Sequence, residues 1–574
     1  MKILVTDAEQ RAALAVTRSL GMRGDDVIVA SEHRHTVSSC SRHSRGSFVY
    51  HSPVSDEGAF VEEIKEIVRE EGIDLIIPIT DLSMFILLDP LNAIPPNLIY
   101  PFPSYEQFSF VSDKVRLMKL CRQLNVNVPE TIFLESAYEL DRWKGSLHYP
   151  VIIKPYQSVI RVAGRWFGGR VKMARGYDEL MTICDHDIIY RYPFMLQEVV
   201  AGEGRGIFTL YRGGKPVDWF AHKRIREKPP EGGVSVLSAS ISPHGTMLDA
   251  AKRVLDHVEW HGPAMVEFKY NTANDTYYLM EINGRFWGSL QLAVEAGVDF
   301  PSLLLRQGAD GVAGGYREDV RLRWFLGDVD HHLSLLRRRQ GIGERIRVLK
   351  NFLLSARGEV TYDVRKADDI LPFCYEALSY VTDVLRTVID KVKDRASRWK
   401  RAWRASFLKR VGKIGLFRRF LLRRMPKKIG SVLFVCQGNI YRSSFAEHYT
   451  RARVNAGLTV DSIGVNTLEG APVTIGSERM AAVHGVDLSK HRLKSRASIK
   501  GKRFDVVFVM EREQKKDVRE FGDVIVELGL MNDENDMAYD IPDPMGRTEV
   551  EMRRIYSEML TPLQNVQKII EPEK

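Results

Sequence analysis

Cysteine is scarce in this chain. Cys40, Cys121, Cys184, Cys374 and Cys436 are its five in 574 residues. They are widely scattered and lack metal-ligand spacing, which argues against a disulfide scaffold or a zinc site and suits a reducing cytoplasm. Long apolar runs are also missing, so no membrane-spanning helix is expected. The opening Met1-Lys2-Ile3-Leu4-Val5-Thr6-Asp7 reaches an acid after three apolar residues and reads as a first strand rather than a secretion signal. The following turn, Thr6-Asp7-Ala8-Glu9, has no glycine, which disfavours a dinucleotide pyrophosphate there.

What is present is ordinary in amount and uneven in placement. The chain is 44% hydrophobic and 27% charged, and its length predicts two to four domains. Its net charge of +9 is concentrated: residues 386–428 carry 17 Lys/Arg against two acids, a net +15, whereas 1–385 count −4 and 429–574 count −2. Basicity confined to one segment does not suit a general nucleic-acid binder, and nucleic acid is not expected as a partner.

Taken in order, 2–5, 10–20, 27–30, 59–71 and 75–78 alternate strand and helix, a doubly wound α/β opening. Prolines 90, 95, 96, 101 and 103 mark the way out of this lobe. Ser112-Asp113 caps a helix over 114–124. A short apolar strand then ends at Lys154, and a loop with Gly164, Gly168 and Gly169 follows. A lysine beside a mobile glycine-containing loop can hold nucleotide phosphates, although lysines also end ordinary surface strands. Strands over 264–270 and 277–281 bring Glu267 and Glu281 together, and Asn283, two residues on, faces the same side. Three oxygen donors at a strand end suit magnesium; the alternative is a pair of solvated carboxylates on a sheet edge. The basic, Pro- and Gly-containing stretch 223–233 reads as an exposed connection or as a substrate loop.

Lys114, Lys154, Glu198, Glu267 and the run Glu281-Ile282-Asn283-Gly284-Arg285 together resemble the ATP-grasp superfamily over residues 1–308. The resemblance implies that Lys114 and Lys154 contact ATP phosphates and that a hinge over 197–200, with Glu198 and Val200, reads adenine. It implies further that Glu267, Glu281 and Asn283 hold Mg2+, with Arg285 near phosphate. Such enzymes activate a carboxylate as an acyl phosphate for attack by an amine or another nucleophile. Neither substrate is specified by any segment. Residues 309–385 read as a helical appendage without chemistry, and the adjacent His331 and His332 as surface residues.

In the basic stretch, Trp399, Trp403, Phe407, Val411, Ile414, Phe417 and Leu421 recur every three or four residues opposite a Lys/Arg-rich face. A helix of this kind can lie in an anionic membrane interface, pack on a neighbouring domain, or meet an acidic partner. The expected location is cytoplasmic, with the bridge able to reach the inner membrane face.

Beyond 430 a buried strand over 432–435 ends at Cys436, and Gly438 and Asn439 lead to Arg442 and Ser443 at the start of a helix. Successive backbone N–H groups and a helix N-terminus there would cradle a phosphate, and their positive potential favours a cysteine thiolate. With the strand 505–510 and Asp543-Pro544 downstream, residues 430–574 resemble the low-molecular-weight protein tyrosine phosphatases. The resemblance implies a phosphocysteine on Cys436, oxyanion binding by Arg442 and acid–base catalysis by Asp543. Ser443 would assist departure of the sulfur, and Gly438 and Asn439 would shape the loop. Two departures stand out. Tyr441 occupies a position where many members carry a second cysteine, which disfavours an arsenate-reductase reading and predicts poor recovery from peroxide. Ser444 and Met545 replace a common proline and aromatic, leaving substrate preference open.

The expected fold is therefore α/β throughout. A Rossmann-like lobe (1–110), an ATP-grasp domain of two α+β lobes (111–308), the helical appendage (309–385) and the basic amphipathic bridge (386–428) precede a parallel-sheet phosphatase domain (429–574). The expected function is bifunctional, a phosphotyrosine-protein phosphatase with an ATP-dependent ligase-like unit. The alternative is a regulatory protein whose ATP-grasp part binds nucleotide without turnover.

Overall fold

The computed structural model describes residues 1–98, 101–306, 315–338, 341–354, 360–411, 423–454, 457–532 and 540–571. The first lobe is a parallel sheet in the order Gly46–Val49, Asp26–Ser31, Lys2–Val5, Leu75–Ile77. Ile3, Leu4 and Val5 are completely buried, as a parallel strand covered on both faces requires. The glycine-free turn is filled by Asp7, whose φ is 54°. Its carboxylate accepts from Ser83 Oγ at 2.6 Å and from the backbone N–H groups of Ile79 and Thr80 at 3.3 and 3.2 Å. An anion of the protein's own thus takes the donors that a pyrophosphate would need.

The small lobe is an antiparallel sheet in the order Thr131–Leu134, Phe194–Glu198, Val151–Pro155, Lys172–Ala174. The glycine-containing stretch after Lys154, expected as a mobile loop, is instead a hairpin of Val159–Val162 with Arg165–Gly168. Trp166 on this hairpin stacks on Phe85 of the first lobe at 5.8 Å and donates to Glu57 at 2.9 Å. Those contacts hold the small lobe down over the space between the lobes.

The large lobe is a seven-stranded sheet in the order Thr276–Asn283, Gly262–Asn271, Glu203–Arg212, Lys215–Lys228, Val234–Ser240, Arg321–Arg323, Val360–Tyr362. The region expected to be a purely helical appendage therefore extends this sheet by two strands. His331 and His332, read as surface residues, are buried. They donate to the carbonyls of Glu227 and Asp328 at 2.7 and 2.8 Å. Burial follows from Asp328, which is inaccessible and clasped by Arg226 and Arg323. A second clasp ties the region to the first lobe: Arg18 donates to Asp369 and to the carbonyls of Asp363 and Val364 at 2.7–2.9 Å.

One helix, Leu371–Val411, continues from the appendage into the basic stretch. Leu378, Val381, Leu385, Val388, Val392 and Trp399 form an exposed ridge along it. Of the apolar stripe expected further on, the side chains of Trp403, Phe407 and Val411, and the whole of Ile414, Phe417 and Leu421, lie outside the described residues. No described helix is long and apolar enough to cross a membrane.

The C-terminal sheet is parallel, in the order Thr459–Gly464, Ser431–Cys436, Val506–Val509, Ile525–Glu527. Ser431–Cys436 is central, so its last residue opens at the carboxyl edge of the sheet, where ligands of open α/β folds bind. The helix that follows starts at Arg442.

Candidate active sites

A cavity of about 1190 Å³ lies between the three N-terminal lobes. From the small lobe come Lys154 and Lys172, with Glu198, Val199 and Val200 at the end of its sheet; from the large lobe come Glu267, Glu281, Asn283 and Arg285. Strand pairing places Glu267 directly opposite Glu281 and Asn283 opposite Met265, with a bulge after Glu267. Like charges facing each other across a ladder are destabilising unless a cation joins them. Asn283 Nδ2 lies 3.3 Å from one oxygen of each carboxylate, and half a turn of the amide would present Oδ1 in its place. Two carboxylates and an amide oxygen are the donor types magnesium prefers, so the residues present fit the ion.

Cations of the chain already balance these acids. Lys114 Nζ is 3.6 Å from Glu281 and donates to Ser158 at 3.0 Å. Burial works against the Glu281 charge, but Lys114 and Lys154 overcome it and hold its carboxyl below the usual range. Burial raises Glu267 despite the Arg224 guanidinium 2.6 Å away. Lys154, 6% exposed, is pushed down by burial and by Lys114, against Glu281 and Glu267. A poorly solvated, partly compensated lysine gains most from a phosphate.

Several partners were not foreseen. Arg285 is held by Asp81 of the first lobe, Nε to Oδ1 at 2.7 Å. Arg224 bridges Glu267 and Glu227. The stretch 223–233, open between an exposed connection and a substrate loop, is, up to Lys228, a strand; Arg224, Glu227, Pro229 and Glu231–Val234 line the cavity. His222 and Arg224 are two apart and share a face, a period-2 signal visible beforehand. Gln197, by contrast, turns away to donate to Thr131. The appendage supplies the far wall, where Trp324 donates to Glu376 at 2.7 Å and lies under Arg11.

The second site sits at the end of Ser431–Cys436. Cys436 is 2% exposed. Its sulfur accepts from Asn439 N–H at 3.2 Å and lies 3.0 Å from Ser443 Oγ. Asn439, inaccessible and at φ 55°, donates to Ser443 and Ser462 at 2.9 and 2.7 Å. Its Oδ1 accepts from His491 Nε2 and Lys494 N at 3.0 and 2.9 Å. Gly438 is fixed by Thr467, which donates to its carbonyl.

Arg442 is 1% exposed. Its Nη1 donates to Glu511 at 2.6 Å and to the Ile541 carbonyl at 2.8 Å, and Nη2 meets Asp543 at 2.9 Å. Burial opposes its charge, but Cys436, Asp543 and Glu511 raise its pKa on balance. Among the described residues its Nε is buried with no hydrogen-bond partner, a strong donor left over. Glu511 was not anticipated, since only folding brings Val506–Val509 beside the loop.

The family model of low molecular weight phosphotyrosine protein phosphatase matches residues 431–574, and that of ATP-grasp in the biosynthetic pathway with Ter operon matches 191–325. The two models match separate parts of one chain, an ATP-grasp model its N-terminal part and a low-molecular-weight phosphatase model its C-terminal end. The phosphatase domain is 34% identical over 91 residues to the probable low molecular weight protein-tyrosine-phosphatase EpsP of Ralstonia nicotianae, covering 16% of this chain and 62% of that relative. That span is less than two thirds of the relative's length. To Etp of Escherichia coli, a low molecular weight protein-tyrosine-phosphatase, identity is 29% over 129 residues, covering 22% and 86%. Among solved structures, the ADP complex of purK, an N5-carboxyaminoimidazole ribonucleotide synthetase, is similar at a TM-score of 0.46 with 12% identity, over 62% of this chain and 97% of that one. An L-amino acid ligase of Bacillus licheniformis is similar at 0.43 and 14%, over 53% and 73%.

Proposed function

We propose that the phosphatase domain hydrolyses phosphotyrosine in proteins through a phosphocysteine. The observation that carries this is the group at the sheet end: the Cys436 sulfur beside Ser443 and an amide N–H, the Arg442 Nε without a partner among the described residues, and Asp543 resting on the same guanidinium. The sulfur attacks phosphorus and breaks the bond to the phenolic oxygen, while Asp543 delivers a proton to that oxygen. Arg442 turns its donors from Glu511 and Asp543 to the equatorial oxygens, whose charge it matches. Water then attacks the phosphocysteine, Asp543 takes its proton, and inorganic phosphate leaves the regenerated thiolate. Ser443 has one proton to offer, to the sulfur at 3.0 Å or to the Ile463 carbonyl at 3.2 Å, and a departing thiolate draws it to the sulfur. Comparing hydrolysis of a phosphotyrosyl peptide by wild type, Cys436→Ser and Asp543→Ala tests the assignment. Loss of turnover in the first and a large drop in the second are expected, and turnover surviving Cys436→Ser defeats it.

For the N-terminal cavity we propose an ATP-dependent ligase that activates a carboxylate as an acyl phosphate for capture by a nucleophile. Lys114, Lys154 and Arg285 would orient the phosphates, Glu198 and Val200 the base. Magnesium, held by Glu267, Glu281 and Asn283, would neutralise phosphate charge. A second reading, nucleotide binding without turnover, draws on the Arg224–Glu267 ion pair, which already occupies one carboxylate oxygen. Release of ADP that depends on added carboxylates and amines favours the ligase; tight nucleotide binding without it favours the second reading. The basic stretch we assign to an anionic membrane surface, on the strength of its +15 charge and the exposed ridge that leads into it.

A further inference from the structure

The small lobe of the ATP-grasp part is joined to the phosphatase domain, and the joint reaches the phosphate loop. Helix Tyr177–Asp185 approaches Ile475–Val483 so closely that a Cβ on Gly476 would stand 2.7 Å from Asp185 Cβ. Arg479 meets Asp185 at 3.3 Å and Asp141 at 3.4 Å. Arg191 donates to the Val473 carbonyl at 2.5 Å and pairs with Glu478, which also accepts from Tyr138. One apolar core includes Leu180, Cys184 and Tyr190 of the lobe with Tyr441, Ile475 and Ala481 of the domain.

His186 lies at the centre of this joint. Its Nε2 is 2.7 Å from the carbonyl of Arg547. A carbonyl can only accept, so Nε2 carries the proton and Nδ1 of the neutral ring is an acceptor. The Tyr441 hydroxyl, 2.6 Å away, donates to Nδ1 and itself accepts from Thr474 at 2.9 Å. Burial lowers the His186 pKa, against the Arg547 carbonyl and Asp543, in keeping with a neutral ring. Tyr441 directly precedes Arg442, and Arg547 lies four residues beyond Asp543. One imidazole therefore ties together the segments that carry the oxyanion-binding arginine and the acid.

We propose that His186 is a positioning residue of the phosphatase site, through which the small lobe couples nucleotide binding in the N-terminal cavity to phosphate binding beside Cys436. The inference rests on the functional reading of both sites. Lys154, Lys172 and Glu198 belong to the lobe that carries His186, whereas Glu267 and Glu281 belong to the other wall. A nucleotide bridging the walls selects one placement of the small lobe, and the hydrogen bonds that Tyr138, Asp185, His186 and Arg191 share with the phosphatase domain transmit that placement to the loop. Coupling between two equilibria is reciprocal, so phosphate must shift nucleotide affinity by the factor with which nucleotide shifts phosphate affinity.

The test uses the full chain with para-nitrophenyl phosphate as substrate, inorganic phosphate as inhibitor and magnesium with a non-hydrolysable ATP analogue as effector. His186→Ala and Tyr441→Phe are each expected to lower kcat/KM by about tenfold, as loss of a buried hydrogen bond implies. The double variant should lose no more than either single one. His186→Gln, whose amide keeps one donor and one acceptor, should recover most of the loss. The analogue should shift the phosphate inhibition constant of wild type and leave that of His186→Ala unmoved. Since Tyr441→Phe removes the same bond from the other side, misfolding of one variant alone cannot imitate the pattern. Wild-type rates in His186→Ala, additive losses, or a bound analogue that leaves phosphate inhibition unchanged overturn the inference while leaving both site assignments standing. A wild type that does not hydrolyse the substrate, or does not bind the analogue, instead removes the reading on which the inference rests.

Discussion

Asn439 offers the sharpest test of how the phosphate loop is held. The residue is inaccessible and left-handed, with its amide used four times. Alanine there removes the acceptor from His491 Nε2–H and Lys494 N–H, and an orphaned buried donor costs about 1–3 kcal/mol. A β-carbon without a stabilising side chain at positive φ adds about 1 kcal/mol. Allowing for relaxation and water entry, the loop's active conformation should lose about 3 kcal/mol, or roughly a hundredfold in kcat/KM. Asn439→Gly loses the same hydrogen bonds without the backbone strain and should recover about fivefold of that. Asn439→Asp keeps both acceptor contacts but gives up the donations to Ser443 and Ser462, and should fall between. Initial rates on para-nitrophenyl phosphate, with thermal melts of the same preparations, provide the comparison. An alanine variant within threefold of wild type would refute the claim that this amide network sets the loop.

Removing one carboxylate of the facing pair, Glu281→Gln, should weaken magnesium-dependent nucleotide binding by at least about tenfold in isothermal titration while phosphatase turnover with no nucleotide present stays intact. At the joint, burial raises Asp185 to about 6 despite Arg479, with Glu549 and Asp141 adding to the rise. A raised folded-state pKa stabilises fully below the ordinary value of 3.8 and is lost as pH climbs through about 6, so the docked state is weaker at pH 8 than at pH 4. Asp185→Asn should therefore raise the melting temperature at pH 8, by up to about 2 kcal/mol of stability, and change little at pH 4; equal shifts at both would contradict it. Vesicles with anionic lipid should retain the full chain in a salt-sensitive manner, and neutral vesicles should not.

The elements legible in the sequence are those whose cause is local. A run of buried β-formers ending at Cys436, a glycine and asparagine, and a helix opening at Arg442 specify their geometry within a dozen residues. The pair Glu281 and Asn283 was legible because a strand has period 2. What stayed hidden depends on contacts between distant segments. Nothing near Glu511 marks it as the partner of Arg442, and nothing near Asp81 marks it as the clamp on Arg285. Residues 309–385 looked inert because two three-residue strands leave almost no periodic signal, yet they complete the sheet and bring Trp324 and Glu376 to the cavity wall. His331 and His332 were misplaced for the same reason: their burial is decided by Arg226 and Arg323 closing on Asp328, which no local pattern reports.

Tyr441 combines a loss and a gain in one substitution, the missing second cysteine and the attachment to the small lobe. A thiol at this position could trap a sulfenic acid on Cys436 as a disulfide, but it could not reach His186 from the loop. The tyrosine reaches His186 and forgoes that rescue, and Cys436 is the one cysteine in 429–574. Protection and attachment to the small lobe thus compete for the same side chain. Wild type exposed to peroxide should pass from sulfenic to sulfinic acid and recover only partly when thiol is added. Tyr441→Cys should regain recovery by thiol and at the same time lose its response to the ATP analogue. Recovery without loss of the response would show that attachment runs through Arg191, Arg479 and the shared apolar core alone. Loss of the response without recovery would show that residue 441 lies beyond disulfide reach of Cys436. Either result would separate the two roles that the single ring combines.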